Sequence, residues 1–519
     1  MCGIAVAIDW NNAEATLHAL APFIQHRGLV SDPIVCPAKD VAFYTRRLPI
    51  VDEANGAQPK SSFDNRIVVA MNGEIYNHRA LREELEGLGV RFKTDCDTEV
   101  LANALRAWGA MALPRLRGIF SFVSYDLVSG EFLAARDPFG VKPLYVVQRE
   151  NGFLFCSEIA PLLAVTGKDQ VLLLPPGHVL THSVCAKFRL RRDPDAGEAL
   201  TPETLDAILD EAVVSRLSAE QSVAALFSGG IDSTLLVHYA QRHVSALPAY
   251  FAHTTGSADY GFAKEYAELT GLDLRTVDIP DWSVATLTEL MQLVETVETF
   301  EPGAIRPAYL TRRVAQRIHE DGYRVALCGE GADELFAGYP PLERAFAQSD
   351  ALGRNVQEQC LALMHRVNLQ RLDRCGMQHQ VEIREPFLDL GLADRALALT
   401  GAELVAHKLG AMQGKQPLRA IYDLYPQALP GSIRDRQKLG FGEDLLGFGS
   451  QQVRALFDAE ISDAEFEDGK REFSAFALST KEEYFYLSTL SCKMDVSRVP
   501  HLKQRALLTV PAEFAARAA

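Results

Sequence analysis

Apolar and polar positions alternate in short segments through the first 160 residues, and turn residues separate these segments. An alternation with a period of two predicts half-buried β-strands. Two stretches, HRALREELEGLG and TEVLANALRAWG, instead repeat their apolar positions at helical spacing. Together these patterns predict sheets that pack on one another and are covered by helices. The segments assigned to strands are GIAVAI, RIVVAMNGEIY, IFSFVSYDL, EFLAARD, PLYVV and FLFCSEI.

The pattern changes after a charged stretch rich in Arg, Asp, Pro and Gly at 188–203, which has the composition of a linker. Beyond it, buried strands alternate with helices, as in SVAALFSGG, LPAYFAHTT, LRTVDIP and YRVALCGEG. This alternation predicts a parallel, doubly wound α/β sheet, and the pattern is mostly helical from about residue 340. We therefore expect two domains, 1–195 and 196–519.

Composition narrows the class of protein. The chain has 519 residues, a hydrophobic share of 48% and a net charge of −16. The acidic balance argues against a nucleic-acid partner, which would need basic stripes. No apolar run reaches membrane-spanning length, and no signal peptide is recognised. The nine cysteines are scattered without a C-x-x-C pair, which favours reduced thiols and a cytoplasmic location.

The stretch SVAALFSGGIDSTLLVHYA places a tight turn between a buried strand and a helix. Its glycines, Gly229 and Gly230, let the backbone approach an anion, and the helix N-terminus offers free N–H groups. Ser228 and Ser233 flank them as further candidates for phosphate binding. A carboxylate beside a phosphate is repulsive unless a cation lies between, so Asp232 suggests Mg²⁺. The alternative is a plain glycine turn with a helix cap.

This SGGIDS stretch resembles the pyrophosphate loop of ATP pyrophosphatases, and CGEGADELFAGY (328–339) resembles an element of asparagine synthetases. VEIREPFLD, KQPLRAIYDLYPQALP and RDRQKLGF also resemble that family. The resemblance implies ATP and Mg²⁺ as cofactors, with Gly329 at the nucleotide and Asp333 joining Asp232 at the metal. It implies that Glu330 deprotonates or orients ammonia. Lys438 matches a lysine that contacts the phosphates, although an ordinary surface lysine is the alternative.

The same resemblance explains the opening MCGI. Asparagine synthetases carry an N-terminal glutaminase domain, in which removal of Met1 frees Cys2 as the nucleophile. Its thiol attacks the carboxamide of glutamine, and its own α-amine accepts the proton. In MNGEIYN, Asn72 and the backbone N–H of Gly73 match the donors that stabilise the oxyanion.

The remaining matches describe a site for a free amino acid. Arg47, in RRLPIVD, matches an arginine that pairs with the α-carboxylate of glutamine, because a guanidinium binds a carboxylate with two hydrogen bonds. Glu74 and Asp97 match the acids that hold its α-amine. A charge at a strand edge is the alternative explanation of Arg47.

Two stretches depart from the family. The H-R-G-P-D loop is here HRGLVSDP, which keeps His26, Arg27 and Gly28 but not the following Pro-Asp. The segment 298–310, ETFEPGAIRPAYL, lacks the hydroxyl-rich sequence expected around an aspartate site. Arg306 is the candidate there for binding the acceptor carboxylate, and Asp373 matches an acidic position near the acceptor.

The sequence therefore predicts an α+β N-terminal nucleophile hydrolase sandwich (αββα), followed by an α/β ATP-pyrophosphatase domain with a helical C-terminal part. The predicted reaction is glutamine- and ATP-dependent amidation of a carboxylate through an acyl-adenylate, with aspartate as acceptor. One alternative is the same chemistry on another carboxylic acid, such as a sugar acid or a cell-wall or natural-product intermediate. Another is a glutaminase with an inactive synthetase domain. The resemblance also suggests a homodimer.

Overall fold

The computed structural model describes residues 2–150, 152–188, 200–217, 221–408, 411–436 and 450–504. The helices of the first half are α1 (Ala13–Leu20), α2 (His78–Gly87), α3 (Asp97–Trp108) and α4 (Ile159–Val165). Its strands are β1 (Cys2–Ile8), β2 (Val30–Ser31), β3 (Val35–Ala38), β4 (Val41–Arg47), β5 (Lys60–Ser61), β6 (Ile67–Ile75), β7 (Gly118–Asp126), β8 (Phe132–Arg136), β9 (Tyr145–Gln148), β10 (Phe153–Cys156), β11 (Leu172–Leu173), β12 (His178–Leu180) and β13 (Cys185–Lys187).

These strands form two antiparallel sheets that pack face to face. The first runs β11-β9-β10-β1-β4-β2, with β3 also on β4, and the second runs β13-β12-β8-β7-β6-β5. In β1, Ile4, Val6 and Ile8 point into the core between the sheets, whereas Ala5 and Ala7 point outward onto α1. On the second sheet, α2 and α3 cover the outer face of β6 and β7. Alternate side chains thus build a helix–sheet–sheet–helix arrangement.

The second half contains a five-stranded parallel sheet. Its strands are β14 (Val223–Leu226), β15 (Pro248–His253), β16 (Asp273–Asp278), β17 (Val325–Leu327) and β18 (Glu382–Arg384), in the order β16-β15-β14-β17-β18, and a hairpin adds β19 (Ala406–Lys408) and β20 (Ala411–Gln413). The described helices are α5 (Pro202–Arg216), α6 (Ile231–His243), α7 (Asp259–Thr270), α8 (Val284–Val297), α9 (Pro302–Glu320), α10 (Ala332–Leu335), α11 (Pro340–Gln348), α12 (Asp350–Met364), α13 (Asn368–Gln378), α14 (Leu390–Ala396), α15 (Gly401–Leu404), α16 (Gln416–Tyr422), α17 (Gly431–Asp435), α18 (Ser450–Glu460), α19 (Asp463–Glu472) and α20 (Lys481–Lys493).

Helices cover both faces of the parallel sheet. Side chains of α5 and α6 pack on one face of β14, and side chains of α9 and α13 pack on the other. This confirms the predicted mixture of α and β structure with a parallel sheet. In such sheets ligands bind beyond the carboxyl ends of the strands, where the loops after β14, β17 and β18 meet. Across the parts of the chain that the structure describes, no helix is long and apolar enough to span a membrane.

Candidate active sites

Cys2 begins β1 and is 3% exposed. It lies opposite Arg47 in the β1–β4 pairing, so the nucleophile and the predicted carboxylate-binding arginine are cross-strand neighbours. The amide of Gln58 approaches the Cys2 sulfur at 3.7 Å. Burial raises the pKa of the Cys2 thiol to about 11. Because a thiol with a raised pKa is mostly protonated at neutral pH, the sulfur needs a nearby base to accept its proton when it attacks a substrate.

Asn72 lies on β6 directly beside Cys2 and is fully buried. Its side-chain oxygen accepts a hydrogen bond of 3.1 Å from the backbone nitrogen of Cys2. Its Nδ2 has no hydrogen-bond partner among the described residues. An unpaired buried donor is costly unless it serves a ligand, so this amide suits an oxyanion that forms during the reaction.

Gly73 follows on β6 with φ +143°, and a Cβ here would lie 2.0 Å from the carbonyl oxygen of Ile119. Only glycine fits both this backbone conformation and the close approach of β7. The residue that supplies the second predicted donor is therefore held by the geometry of the sheet.

Arg47 is held in place by an aspartate that lies within the divergent HRGLVSDP motif. Its Nε lies 3.3 Å from the carboxylate of Asp32, and one terminal nitrogen donates to the carbonyl of Glu53 at 3.1 Å. Asp32 also accepts a hydrogen bond of 3.0 Å from the backbone N–H of Gln58. The loop thus still supplies a carboxylate to this site, although the Pro-Asp of the family motif is absent.

Glu74 and Asp97 complete the predicted amino-acid site. Asp97, at the start of α3, accepts a hydrogen bond of 2.9 Å from the backbone N–H of Ile75. Glu74 lies 3.4 Å from a guanidinium nitrogen of Arg384, which belongs to β18 of the other half. Burial, followed by the charge of Glu382, raises the pKa of Glu74 to about 8. The proposed glutamine-binding loop therefore touches the parallel sheet directly.

The second candidate site lies in the loop between β14 and α6. Gly229 has φ +66°, and a Cβ there would come within 2.7 Å of the backbone nitrogen of Ala263. The hydroxyl of Ser233 accepts a hydrogen bond of 3.2 Å from the backbone N–H of Ser228. Gly230 is the N-cap of α6, so the helix begins where a phosphate would bind. A Cβ at Gly329 would lie 3.3 Å from the Ser233 nitrogen. The loop after β17 therefore packs closely against this turn.

Asp232 and Asp333 come together around one cation. The Nζ of Lys415 lies 2.5 Å from Asp232 and 2.6 Å from Asp333. Burial opposes the charge of Lys415, but the two carboxylates outweigh it and raise its pKa. A Cβ at Gly338 would collide with Asp333 and with the Lys415 stem, so a glycine is required there. The side chains of Asp232 and Asp333 supply carboxylate oxygens, the kind of ligand that Mg²⁺ prefers, and in the structure these oxygens hold the Lys415 ammonium.

Glu330 follows β17 at the edge of this site. Its carboxylate pairs with the guanidinium of Arg371 and accepts a hydrogen bond of 2.9 Å from the amide of Asn368, both on α13. Its neighbour on α10, Glu334, is buried, and burial together with the charge of Glu330 raises its pKa to about 8. Glu330 thus lies on the side of the site that faces α13.

Comparisons with known proteins identify the family of this chain. The family model for a glutamine amidotransferase domain matches residues 1–175, and the asparagine synthase model matches residues 204–363 and 345–496. A protein named probable asparagine synthetase [glutamine-hydrolyzing] from Schizosaccharomyces pombe is 31% identical, over 94% of this chain and 92% of its own. The chain belongs to the asparagine synthetase family.

A second relative of that family, asparagine synthetase [glutamine-hydrolyzing] 3 from Arabidopsis thaliana, is 28% identical over 94% of this chain and 86% of its own. A solved structure of glutamine phosphoribosylpyrophosphate amidotransferase from B. subtilis is 19% identical with a TM-score of 0.31, and it covers 63% of this chain and 81% of its own.

The structure shows which group pairs with Arg306. Its guanidinium is buried and pairs with the carboxylate of Glu482 on α20, with one contact of 2.8 Å. Tyr486 donates a further hydrogen bond of 3.0 Å to the same carboxylate. This ion pair joins α9 to α20. The predicted contact of Arg306 with an acceptor carboxylate stays a prediction.

Asp373 lies at the boundary between the two halves. It is 3% exposed, and its carboxylate accepts a hydrogen bond of 3.0 Å from Arg27 of the first half. Further ion pairs join Arg27 and Arg374 to Glu158 at 3.0 Å and Arg374 to Glu298 at 2.7 Å. We call this set the ionic seam (Arg27, Glu158, Glu298, Asp373, Arg374). Asp373 therefore joins the two halves, and its predicted place near the acceptor stays a prediction.

The sequence prediction missed Gln58 and Lys415 as site residues. Both are identified only by their neighbours, Cys2 in one case and Asp232 with Asp333 in the other. Lys438 lies outside the described residues, so its predicted phosphate contact stays a prediction. The last described residue before Lys438 is Arg436. Its guanidinium donates a hydrogen bond of 3.2 Å to the carbonyl of Gly229.

Proposed function

We propose that this protein is a glutamine-dependent ligase that converts a carboxylic acid to its amide through an acyl-adenylate, with aspartate as acceptor and asparagine as product. The observation that carries the proposal is the presence of two assembled sites in one chain. One surrounds Cys2 and the other surrounds Asp232 and Asp333. In this assignment the first half is an N-terminal nucleophile glutaminase, the second is an ATP-pyrophosphatase domain, and their boundary lies near residue 195.

The glutaminase reaction begins when Met1 is removed and the backbone nitrogen of Cys2 becomes an α-amine. The side-chain oxygen of Asn72 lies 3.1 Å from that nitrogen and holds it in place. The α-amine then accepts the thiol proton as the sulfur attacks the glutamine carboxamide. The Asn72 amide and the Gly73 N–H stabilise the oxyanion. Arg47 binds the α-carboxylate, and Glu74 and Asp97 bind the α-amine. Ammonia leaves first, and water then releases glutamate from the thioester.

The synthetase reaction takes place at the carboxyl ends of β14 and β17. The loop from Ser228 to Ser233, with Gly329, cradles the phosphates of ATP. Mg²⁺ held by Asp232 and Asp333 would neutralise phosphate charge there. Lys415 and Lys438 add positive charge as pyrophosphate leaves. Glu330 orients the incoming ammonia, which attacks the acyl-adenylate and displaces AMP.

Pyrophosphate release tests this function. The full chain is incubated with glutamine, ATP and Mg²⁺, with and without aspartate, and the amide product is identified by mass. Aspartate-dependent pyrophosphate with asparagine formed is the expected result. Glutamine hydrolysis without aspartate-dependent pyrophosphate would refute aspartate and lead to a screen of other carboxylic acids. Failure of every acid would indicate a glutaminase with an inactive synthetase half.

The assembly and location belong to the same proposal. The family resemblance supports a homodimer, which light scattering of the purified chain tests. The nine cysteines carry no disulfide in the structure, which supports a cytoplasmic location.

A further inference from the structure

Gln58 is a buried side chain beside the Cys2 sulfur, and no step of the glutaminase reaction described above uses it. It is 6% exposed. Its Nε2 lies 3.7 Å from the Cys2 Sγ, a distance at which an amide nitrogen donates a hydrogen bond to sulfur. The sulfur is the atom that attacks glutamine in the proposed function, so this contact reaches the reacting atom itself.

A second hydrogen bond fixes which end of the Gln58 amide faces the sulfur. Its Oε1 accepts a hydrogen bond of 2.7 Å from the backbone N–H of Met71, on β6. A backbone N–H can only donate, so the amide oxygen points at Met71 and the amide nitrogen points away from it. The hydrogen bond with Cys2 therefore runs from the Gln58 nitrogen to the sulfur.

The backbone of Gln58 is held in place as well as its side chain. Its N–H donates a hydrogen bond of 3.0 Å to the carboxylate of Asp32. The register of β5 on β6 pairs Lys60 with Val69. Continued by two residues, this register places Gln58 opposite Met71. The amide is thus positioned before a substrate binds, as a donor for a developing charge must be.

Resting on the glutaminase reaction proposed above, we propose that Gln58 is a catalytic residue whose Nε2 donates a hydrogen bond to the Cys2 sulfur and stabilises the negative charge that forms there. The α-amine takes the thiol proton and the sulfur bonds to the carboxamide carbon, whereas Gln58 makes and breaks no covalent bond. Its hydrogen bond is weak while the sulfur is a thiol and becomes charge-assisted as the proton leaves. It therefore stabilises the transition state more than the ground state.

The other groups around the sulfur show why a neutral donor matters. Burial has the largest effect on the pKa of the Cys2 thiol and raises it, and the charge of Asp32 also raises it. The positive N-terminus, the backbone N–H of Leu48 and the charge of Arg47 lower the pKa. Asp32 and Arg47 pair with each other at 3.3 Å, so their opposite effects on the sulfur largely cancel. Neutral N–H donors at Gln58 and Leu48 then help to offset the cost of burying a thiolate.

Two substitutions separate the sulfur contact from the Met71 contact. Gln58→Met has a side chain of similar length and loses both hydrogen bonds. Gln58→Glu keeps an oxygen for the Met71 N–H and, once ionised, loses only the donor to sulfur. We expect kcat for glutamate release to fall about tenfold or more in both variants, with little change in KM for glutamine. A role confined to the Met71 contact would instead leave Gln58→Glu active.

The pH dependence distinguishes the two variants from each other. The carboxyl group of Gln58→Glu regains an O–H donor when it is protonated, so its activity relative to wild type should rise as the pH falls from about 8 to about 5.5. Gln58→Met introduces no titrating group, and its relative activity should stay constant over the same range. A parallel pH dependence of the two variants would contradict the assignment of Gln58 as a donor to sulfur.

Alkylation of the thiol gives a readout that does not depend on turnover. The full chain is treated with iodoacetamide without substrates, and the modified N-terminal peptide is quantified by mass spectrometry. A tenfold smaller thiolate fraction is partly offset by the greater nucleophilicity of a more basic thiolate, so Cys2 alkylation should slow about threefold in Gln58→Met. Gln357→Met is the matched control. Gln357 is fully buried and its Nε2 donates to the Glu334 carbonyl at 2.9 Å in the other half, so neither alkylation nor glutamate release should change.

Unchanged kcat and unchanged alkylation in both Gln58 variants would overturn this role while leaving the proposed function intact. A rise in KM for glutamine with the wild-type alkylation rate would also overturn it, because it would indicate a contact with the substrate. Equal losses of glutamate release and ammonium-driven pyrophosphate release would overturn it as well, since they would indicate damage to the fold. Absence of glutamate release from the wild-type chain would refute the proposed glutaminase itself.

Discussion

Replacement of Asn72 by alanine tests how the oxyanion is stabilised. The Asn72 Nδ2 makes no hydrogen bond to the described protein, so its loss removes no structural donor contact. The truncation does remove the 3.1 Å acceptor contact to the Cys2 nitrogen. Loss of one oxyanion donor lowers kcat by about 10²–10³-fold, or ~2.7–4 kcal/mol. Since the Gly73 N–H remains, we expect a residual activity at that level instead of complete loss.

The assay measures glutamate release at saturating glutamine, with ammonium-driven pyrophosphate release by the same preparation as internal reference. The reference rate should not change, because Asn72 lies only in the first site. Asn103→Ala is the matched control. Asn103 is equally buried, but its amide is used structurally, in hydrogen bonds of 2.9 Å to the Glu99 carbonyl and 2.8 Å from the Phe63 N–H.

The control is therefore expected to lower the free energy of unfolding, by about 1–3 kcal/mol, while the folded enzyme keeps its turnover. A fall in kcat of less than about tenfold for Asn72→Ala would refute the oxyanion role, since it corresponds to only ~1.4 kcal/mol. A parallel fall in the ammonium-driven rate would show that the variant disturbs the fold.

Three further substitutions test the two sites and the buried ion pair of Arg306. Cys2→Ala should abolish glutamine-driven amide formation and leave ammonium-driven formation intact; equal loss of both would contradict the division of labour. Asp232→Asn should lower pyrophosphate release by about 10²-fold or more while glutamate release persists, because only the phosphate site loses charge. Arg306→Met leaves Glu482 buried without its ion-pair partner, so thermal unfolding should show a loss of about 3–5 kcal/mol. Pairing it with Glu482→Met should recover stability. A selective rise in KM for aspartate without destabilisation would instead support the predicted contact of Arg306 with the acceptor.

Much of the fold follows from the local pattern of the chain. Strands β1, β6 and β7 and helices α2 and α3 lie within two residues of the segments that alternation and helical spacing predicted. Helix α1 was missed, as was β18, which the sequence presented only as part of a motif. Strand β18 has three residues and is defined by its pairing with β17, which no local pattern contains.

Among the candidate site residues, too, those in local motifs were predicted and those defined by long-range contacts were not. Cys2, Asn72 and Gly73 were predicted because strands β1 and β6 carry them in short motifs. The ion-pair partners of Asp373 and Arg306 were not predicted, because they lie 346 and 176 positions away in the chain. A buried charge is explained by the group that neutralises it, and the sequence does not show which groups meet.

The ionic seam has a consequence for how the enzyme moves. An interface made of apolar side chains lets two domains slide past each other, because exchanging one methyl contact for another changes the free energy little. Planar guanidinium forks tolerate it poorly, because each one fits its carboxylate in only one orientation. Arg27 and Arg374 therefore hold the two halves in a fixed position through their contacts with Asp373 and Glu158. Communication between glutamine and ATP is then left to loops and side chains at the boundary, and a hinge motion of whole domains is disfavoured.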